Sequence, residues 1–321
     1  MKKFIAALVA GMAISASAQA ADTLVVYSAG PKPLSAALAK GFEAKTGTKV
    51  ELFQSTAGKI MARYQSEKAN PHVDVMVSAA WGHAITLDAK GELMAYTSPN
   101  AAKVPASLKT DTYVAQGAAA LAIAYNTKSG LPAPKKWSDL TKAAYKDQVT
   151  MPDPSSSGSA LSLLQGLVNK DEAATWDMFA KLNKNGMIVP GANKAALTPV
   201  LQGAKGVVFG AVDYIVLGSK AKGESIEVVY PEDGTVLAPR PMFIPKTAKN
   251  VDAAKAFIDY VLSEEGQAMV VKVLLMPARS DIKAKRPSYD ELNIIEFDQV
   301  EAAKNAAATK KKFADMMAAK G

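Results

Sequence analysis

The amino-acid sequence predicts an α/β protein with two doubly wound domains, joined by a hinge that the chain crosses twice. Strand-like and helix-like segments alternate through residues 23–82 and again through residues 125–240. Long extended runs near residues 121–125 and 237–244 flank the second unit. The chain has 321 residues, of which 49% are hydrophobic. This size and composition allow two domains, each with its own core.

The N-terminus is typical of a secretory signal peptide over residues 1–20. Lys2 and Lys3 precede an apolar stretch at residues 4–14, and Ala18-Gln19-Ala20 fits the small-x-small cleavage pattern. We expect cleavage after Ala20 and export to a bacterial periplasm. No later apolar run reaches the roughly 18 residues that a transmembrane helix needs.

The first unit follows a β-α-β-α-β order. "TLVVYSAG" predicts a strand, "LSAALAKGFEAKTG" a helix closed by Gly47, "KVELFQSTAG" a strand, "KIMARYQSEKA" a helix and "VDVMVSAAWG" a third strand. This order predicts a parallel sheet, in which ligands bind outside the carboxyl ends of the strands.

The second unit repeats the alternation and interrupts the first. "VTMPDPSSSGSALSLLQGLV" predicts a strand, a turn and a helix, and "GVVFGAVDYIVLG" a buried strand followed by a helix starting near Asp213. Residues 251–272 and most of the last 35 residues read as helical. We therefore expect one discontinuous domain of residues 21–122 and 241–321, a second domain of residues 123–240, and a cleft between them.

Small hydroxyl-bearing residues end several of the predicted strands. One serine is enough to cap a helix, and we expect Ser155, Ser156 or Ser157 to cap the helix that contains "ALSLLQGLV". The cluster therefore has more hydroxyl groups than capping requires. Unpaired N–H groups at a helix start suit an anion, so these loops are candidates for an anion site. The candidate residues are Ser28, Ala29, Gly30, Ser55, Thr56, Ala57, Gly58, Ser78, Ser156, Ser157 and Gly158.

Asp213 and Tyr214 follow a buried strand and should also face the cleft. Asp213 either caps its helix or contacts a ligand, by accepting hydrogen bonds from sugar hydroxyls or by pairing with an ammonium group. Glu232 and Lys59 could reach the cleft or remain solvated. His72 and His83 are far apart in sequence and give no metal-ligand spacing.

Other function classes find little support in the sequence. The chain has no cysteine, which excludes disulfides and thiolate sites. Its net charge is +8, but Lys310-Lys311-Lys312 is the one dense basic run, and we interpret it as a solvated helix face rather than a nucleic-acid site. Hydrolase, zinc-protease, Walker A and dinucleotide-binding motifs are missing, so we expect neither an enzyme nor a cofactor.

Several stretches, in order, resemble one known family. "LVVYSAG", "STAGKIMARYQSEKANPHVDV", "PDPSSSGSA", "VVYPEDGTVLAP" and "FIDYVLSEEGQAMV" are similar to type II periplasmic solute-binding proteins of ABC importers. The branch contains ferric-ion-, 2-aminoethylphosphonate- and hexose-phosphate-binding members. The resemblance implies a monomeric receptor that closes around a small solute and delivers it to a permease and ATPase complex in the inner membrane.

Members of that branch differ in the residues that bind their ligands. Ferric-binding members usually carry two adjacent tyrosines where this chain has Asp213-Tyr214, whereas anion-binding members use hydroxyl and glycine loops such as those above. We therefore expect a small organophosphate or phosphonate as ligand. The alternatives are a ferric-ion receptor that uses Tyr214 with a synergistic anion, a secreted hydrolase that uses a serine of residues 155–159, and an adhesin or scaffold.

Overall fold

The computed structural model describes residues 23–319. The predicted signal peptide and its cleavage site lie outside the described residues. Within residues 23–319, no helix combines the length and the apolar character that a membrane span requires.

Nine strands and eleven α-helices make up the described chain. The strands are β1 Leu24–Ser28, β2 Val50–Gln54, β3 Val75–Val77, β4 Tyr113–Asn126, β5 Val149–Thr150, β6 Val207–Val212, β7 Ile226–Val229, β8 Leu237–Phe243 and β9 Met276–Pro277. The helices are α1 Lys32–Thr46, α2 Ala57–Ser66, α3 Trp81–Ala89, α4 Gly158–Lys170, α5 Glu172–Lys184, α6 Asn193–Leu201, α7 Asp213–Lys220, α8 Val251–Val261, α9 Glu264–Lys272, α10 Gln299–Lys304 and α11 Ala306–Ala318.

The mixed α/β fold confirms the predicted fold class. The strands run in the order β2-β1-β3-β8-β4-β6-β5, with β7 and β9 pairing to β4. β1 pairs in parallel with β2 and with β3, as the β-α-β-α-β order predicts. The loops that follow these three strands therefore leave the sheet at the same edge, where each leads into a helix. Gly47 ends α1 as predicted, in a left-handed conformation with φ of 75°.

Two long strands carry the chain between the two halves of the sheet. β4 is 14 residues long and buried along nearly all of its length. It pairs with β8 through its first half and with β6 and β7 through its second half. β8 in turn pairs with β3. The two extended runs predicted as crossings thus lie in β4 and at β8, while the division at residues 122/123 and 240/241 stays a prediction.

The C-terminal part of the chain differs from the sequence-based expectation. The helix predicted over residues 251–272 is broken into α8 and α9, and Ser263 caps α9 by accepting a hydrogen bond from Gly266 N. Helix α11 packs against α4 and α5, with the Phe313 ring 5.3 Å from the Phe179 ring. The last helix therefore contacts the predicted second domain, because Phe313, the one buried residue of this helix, packs there.

Candidate functional site

The three hydroxyl-bearing loops after β1, β2 and β3 lie side by side. Ser55 N donates to Ser28 O at 3.0 Å, and Ala29 N donates to Val77 O at 2.8 Å. These backbone contacts bring residues 28–30, 55–58 and 78–80 together at the carboxyl edge of the sheet. We call these three loops the first side of the cleft.

The hydroxyl groups of the first side are used mainly within their own loops. Ser28 Oγ lies 2.8 Å from Ser35 Oγ and accepts from Gly30 N at 3.0 Å. Thr56 caps α2 by accepting from Lys59 N. Ser78 Oγ accepts from Ala80 N at 3.1 Å and lies 2.8 Å from His83 Nδ1. The hydroxyls therefore shape the loops, and the backbone N–H groups at the start of α2 have no partner within the helix.

We define the second side of the cleft as residues 155–159 together with Asp213 and Tyr214, the candidates that lie in the second predicted domain. Ser157 caps α4 by accepting from Ala160 N at 3.2 Å, which confirms the predicted cap. Its hydroxyl also donates to Asn193 Oδ1 at 2.8 Å. Ser155 N and Ser156 N bond to Asp153. The turn thus holds the N-terminus of α4 toward the first side.

The two sides touch at positions without side chains. A β-carbon built on Gly58 would lie 2.9 Å from Ser155 O. One built on Gly158 would lie 2.5 Å from Ala80 Cβ and 2.8 Å from Ala79 O. The N-termini of α2 and α4 therefore approach one another across the cleft.

The structure adds two polar residues that the sequence analysis missed, Arg240 and Gln116. Arg240 is 3% exposed, and its Nη2 donates to Ala29 O at 2.7 Å. Within the part of the chain that the structure describes, its Nε is buried without a hydrogen-bond partner, and so is Oε1 of Gln116, which is 1% exposed. Gln116 Oε1 lies 3.8 Å from the β-carbon position at Gly30. Both side chains therefore lie against the first side of the cleft.

A β-bulge explains why Arg240 and Gln116 lie at the same position along the paired strands β8 and β4. Ala115 pairs with Pro241 and Ala118 with Pro239, so Gln116 and Gly117 stand opposite the single residue Arg240. Bulges redirect side chains and recur beside functional sites. The sequence did carry a signal here, since "LAPRPMF" places one charged residue in an otherwise apolar extended run.

Arg240 also reaches the second side of the cleft. Its guanidinium carbon lies 5.8 Å from the centre of the Tyr214 ring. Burial lowers the pKa of Arg240, and the nearby Tyr214 opposes that change. Burial raises the pKa of the Tyr214 phenol, against the opposite effect of the Arg240 charge. Because an arginine guanidinium stays protonated near neutral pH, Arg240 is a cation that lies between Ala29 on one side and Tyr214 on the other.

The carboxylate of Asp213 is occupied by protein groups. Arg286 forms an ion pair with it, and both side chains are fully buried. Ala120 N donates to Asp213 Oδ2 at 3.0 Å, and the Tyr230 hydroxyl donates to the same atom at 3.2 Å. Tyr214 N donates to Oδ1 at 2.7 Å. These contacts do not support the expected ligand-reading role, because few lone pairs remain for a ligand.

The remaining sequence candidates are Lys59, Glu232, His83 and His72. Lys59 is exposed on α2, and Glu232 is exposed, with its backbone N–H donating to Lys135 O. His83 is held by Ser78, and burial lowers its pKa to about 4, so the imidazole is neutral near pH 7. His72 lies in a loop of the same half of the molecule, well before α3 in the chain.

An α/β fold in which two sets of loops face one another is typical of a binding protein. Comparison with known proteins gives the same class. Residues 70–303 match the family of bacterial extracellular solute-binding proteins. An uncharacterized protein of Haemophilus influenzae is 31% identical over 283 residues, covering 83% of this chain and 80% of that protein. The chain belongs to this family, whose members bind small solutes and deliver them to ABC permeases rather than act as enzymes.

Two further relatives bear on the ligand. A Salmonella typhimurium periplasmic protein, whose name assigns it 2-aminoethylphosphonate binding, is 25% identical over 259 residues and covers 77% of this chain and 75% of its own. The structure of the periplasmic binding protein AfuA from Actinobacillus pleuropneumoniae, with exogenous fructose-6-phosphate bound, has a TM-score of 0.85 and 25% identity. That similarity covers 92% of this chain and 98% of AfuA.

Proposed function

We propose that this protein is the periplasmic receptor of an ABC importer and that it binds a small organic phosphate or phosphonate between the two sides of the cleft. The observation that carries the proposal is Arg240, a fully buried cation. Among residues 23–319, no carboxylate forms an ion pair with it. A buried charge of this kind is costly unless an opposite charge meets it.

The surroundings of Arg240 suit an anion with several oxygens. Arg240 already uses one N–H on Ala29 O, and its Nε remains free to donate. The first N–H groups of α2 and α4 are unpaired within their helices, and the positive ends of both helices approach the same region. A phosphoryl or phosphonyl group has enough acceptor oxygens to bind all of these donors together.

The other end of the ligand is better matched by hydroxyl groups than by an ammonium group. Asp213 was expected either to accept hydrogen bonds from sugar hydroxyls or to pair with an ammonium, but Arg286 and three hydrogen-bond donors occupy its carboxylate. An ammonium group therefore lacks a carboxylate partner there, whereas a hydroxyl group can bind a neutral acceptor. The amide of Gln116 is available for a neutral polar group. We therefore favour a hydroxylated organophosphate over an aminophosphonate. A ferric ion at Tyr214 is disfavoured as well, since the Arg240 guanidinium, whose carbon lies 5.8 Å from the centre of the Tyr214 ring, would repel a cation bound there.

The experiment is a calorimetric titration of the mature protein with fructose 6-phosphate, glucose 6-phosphate, 2-aminoethylphosphonate, inorganic phosphate and ferric citrate. Arg240→Met should weaken binding of the preferred organophosphate at least about thirtyfold, as expected for truncating one partner of a buried charged pair. Arg279→Met is the matched control, because the Arg279 side chain pairs with Asp281 and Leu262 O rather than with the residues of the cleft named above. Unchanged binding by Arg240→Met, or binding of ferric citrate alone, would overturn the proposal.

A further inference from the structure

Two close contacts join the sides of the cleft, and each contains a glycine. Gly58 meets the backbone oxygen of Ser155, and Gly158 meets Ala79 and Ala80. We call these two contacts the closure seam. They lie at the N-termini of α2 and α4, beside the proposed anion site.

Among the described residues, no hydrogen bond or ion pair joins the two sides at the seam. Within residues 23–319, none of the hydrogen bonds or ion pairs of the 55–58 and 78–80 loops reaches residues 155–159. The hydroxyls of these segments that do form hydrogen bonds have their partners elsewhere, as for Ser78 with His83 and for Ser157 with Asn193. Only van der Waals contact holds the seam together, and single contacts of this kind are weak.

Electrostatics opposes the seam unless an anion is present. A helix N-terminus carries roughly half a positive elementary charge, and the seam brings two of them together beside the Arg240 cation. Like charges in a buried region repel strongly. An anion between them converts this repulsion into attraction, so the closed arrangement depends on the ligand's charge.

Glycine is required at the seam by the opposite side of the cleft rather than by its own helix. Neither Gly58 nor Gly158 has a positive φ, so the local backbone accepts alanine. A methyl group on Gly158 would lie 2.5 Å from Ala80 Cβ, and relieving that clash needs the sides to separate by about 1 Å. When the sides are apart, the same methyl group meets no such obstacle.

We propose that Gly58 and Gly158 form a side-chain-free seam that lets the cleft close fully only around an anionic ligand. This inference rests on the proposed function, since it names how that site closes. It requires the unliganded protein to be open. Alanine at the seam then has opposite effects on the two states: it is tolerated in the open protein and excluded from the closed complex.

The test compares Gly158→Ala and Gly58→Ala with Gly218→Ala. Gly218 lies within α7, and apart from its chain neighbours and the backbone of its own helix, no described residue comes within 4 Å of a β-carbon there. For each variant, the thermal midpoint without ligand and the dissociation constant for fructose 6-phosphate would be measured. We expect unliganded midpoints equal to or above that of the wild type for all three variants, because alanine favours helices.

Binding should separate the seam from the control. We expect at least tenfold weaker binding for Gly158→Ala, a smaller loss for Gly58→Ala with its longer 2.9 Å contact, and no change for Gly218→Ala. Small-angle scattering should show compaction on ligand addition for the wild type and less compaction for Gly158→Ala. Lower unliganded midpoints for both seam variants, or wild-type affinity in both, would overturn the inference. If the wild type binds none of the organophosphates and phosphonates tested, the proposed ligand class is wrong. In that case the thermal midpoints without ligand still test the seam, because lower midpoints for Gly58→Ala and Gly158→Ala would overturn it.

Discussion

The buried pair of Asp213 and Arg286 gives the sharpest stability prediction. Asp213 begins α7, while Arg286 lies 73 residues later, between β9 and α10. The backbone N–H of Ala120 in β4 and the Tyr230 hydroxyl also donate to the Asp213 carboxylate, so four separate parts of the chain meet at this group. The change to make is Arg286→Met, with Asp213→Asn and the double variant completing a thermodynamic cycle.

The expected size follows from the burial of both partners. Both side chains are 0% exposed, and removing one member of such a pair costs about 3–5 kcal/mol. Arg286→Met should fall at the lower end, because two backbone N–H groups and Tyr230 still donate to the carboxylate. Asp213→Asn should cost more, since Arg286 then loses its carboxylate partner and retains only neutral acceptors, such as the asparagine amide oxygen and Leu274 O at 2.7 Å. The double variant should cost less than the sum of the two.

Urea unfolding followed by circular dichroism measures these free energies, and thermal midpoints should fall by about 2 °C per kcal/mol. A pH series adds a second readout. Burial raises the pKa of the Asp213 carboxyl, and Arg286 acts against that rise. Without Arg286 the pKa rises further, so the folded state binds a proton more tightly than the unfolded state. Arg286→Met should therefore regain stability as the pH falls from 7 to 5, whereas Asp213→Asn should not.

Two results would refute this reasoning. One is a loss below about 1 kcal/mol for either single variant, which is the size of an exposed ion pair. The other is simple additivity in the double variant, which would mean that the two side chains do not interact. Matched stability of Arg286→Met at pH 5 and pH 7, relative to the wild type, would show that the carboxylate is not left as a buried charge.

Two further predictions concern the loops of the cleft. His83 has a pKa lowered to about 4 by burial, so folding excludes the proton that the unfolded chain binds below about pH 6.5. Stability should therefore fall as the pH drops from 6.5 to 4, by up to about 3 kcal/mol, and His83→Asn should remove that part of the pH dependence in urea unfolding. An unchanged slope would contradict it. Ser157→Ala should cost about 1 kcal/mol of stability through loss of the α4 cap, whereas Ser156→Ala should change the unfolding free energy by less than about 0.5 kcal/mol. Equal effects of the two serines would contradict the capping assignment.

The sequence determined the elements that depend on neighbouring residues. Apolar periodicity predicted the strand and helix order, and the parallel pairing of β1 with β2 and β3 followed from that order. Gly47 and Ser157 were readable as helix ends because capping involves only a few adjacent residues. The break between α8 and α9 was missed, since apolar residues continue through Ser263 at helical spacing.

Only the tertiary structure decided what the polar groups of the cleft are free to do. Asp213 looked available in the sequence, but Arg286 from a distant segment occupies it. Arg240 looked like one charge in an apolar strand, but the bulge in β4 and the loop at Ala29 leave it buried with an unused donor. The steric requirement for glycine at positions 58 and 158 comes only from residues on the opposite side of the cleft. Local sequence sets backbone conformation through short-range hydrogen bonds and sterics, whereas burial and pairing depend on which distant segments the fold brings into contact.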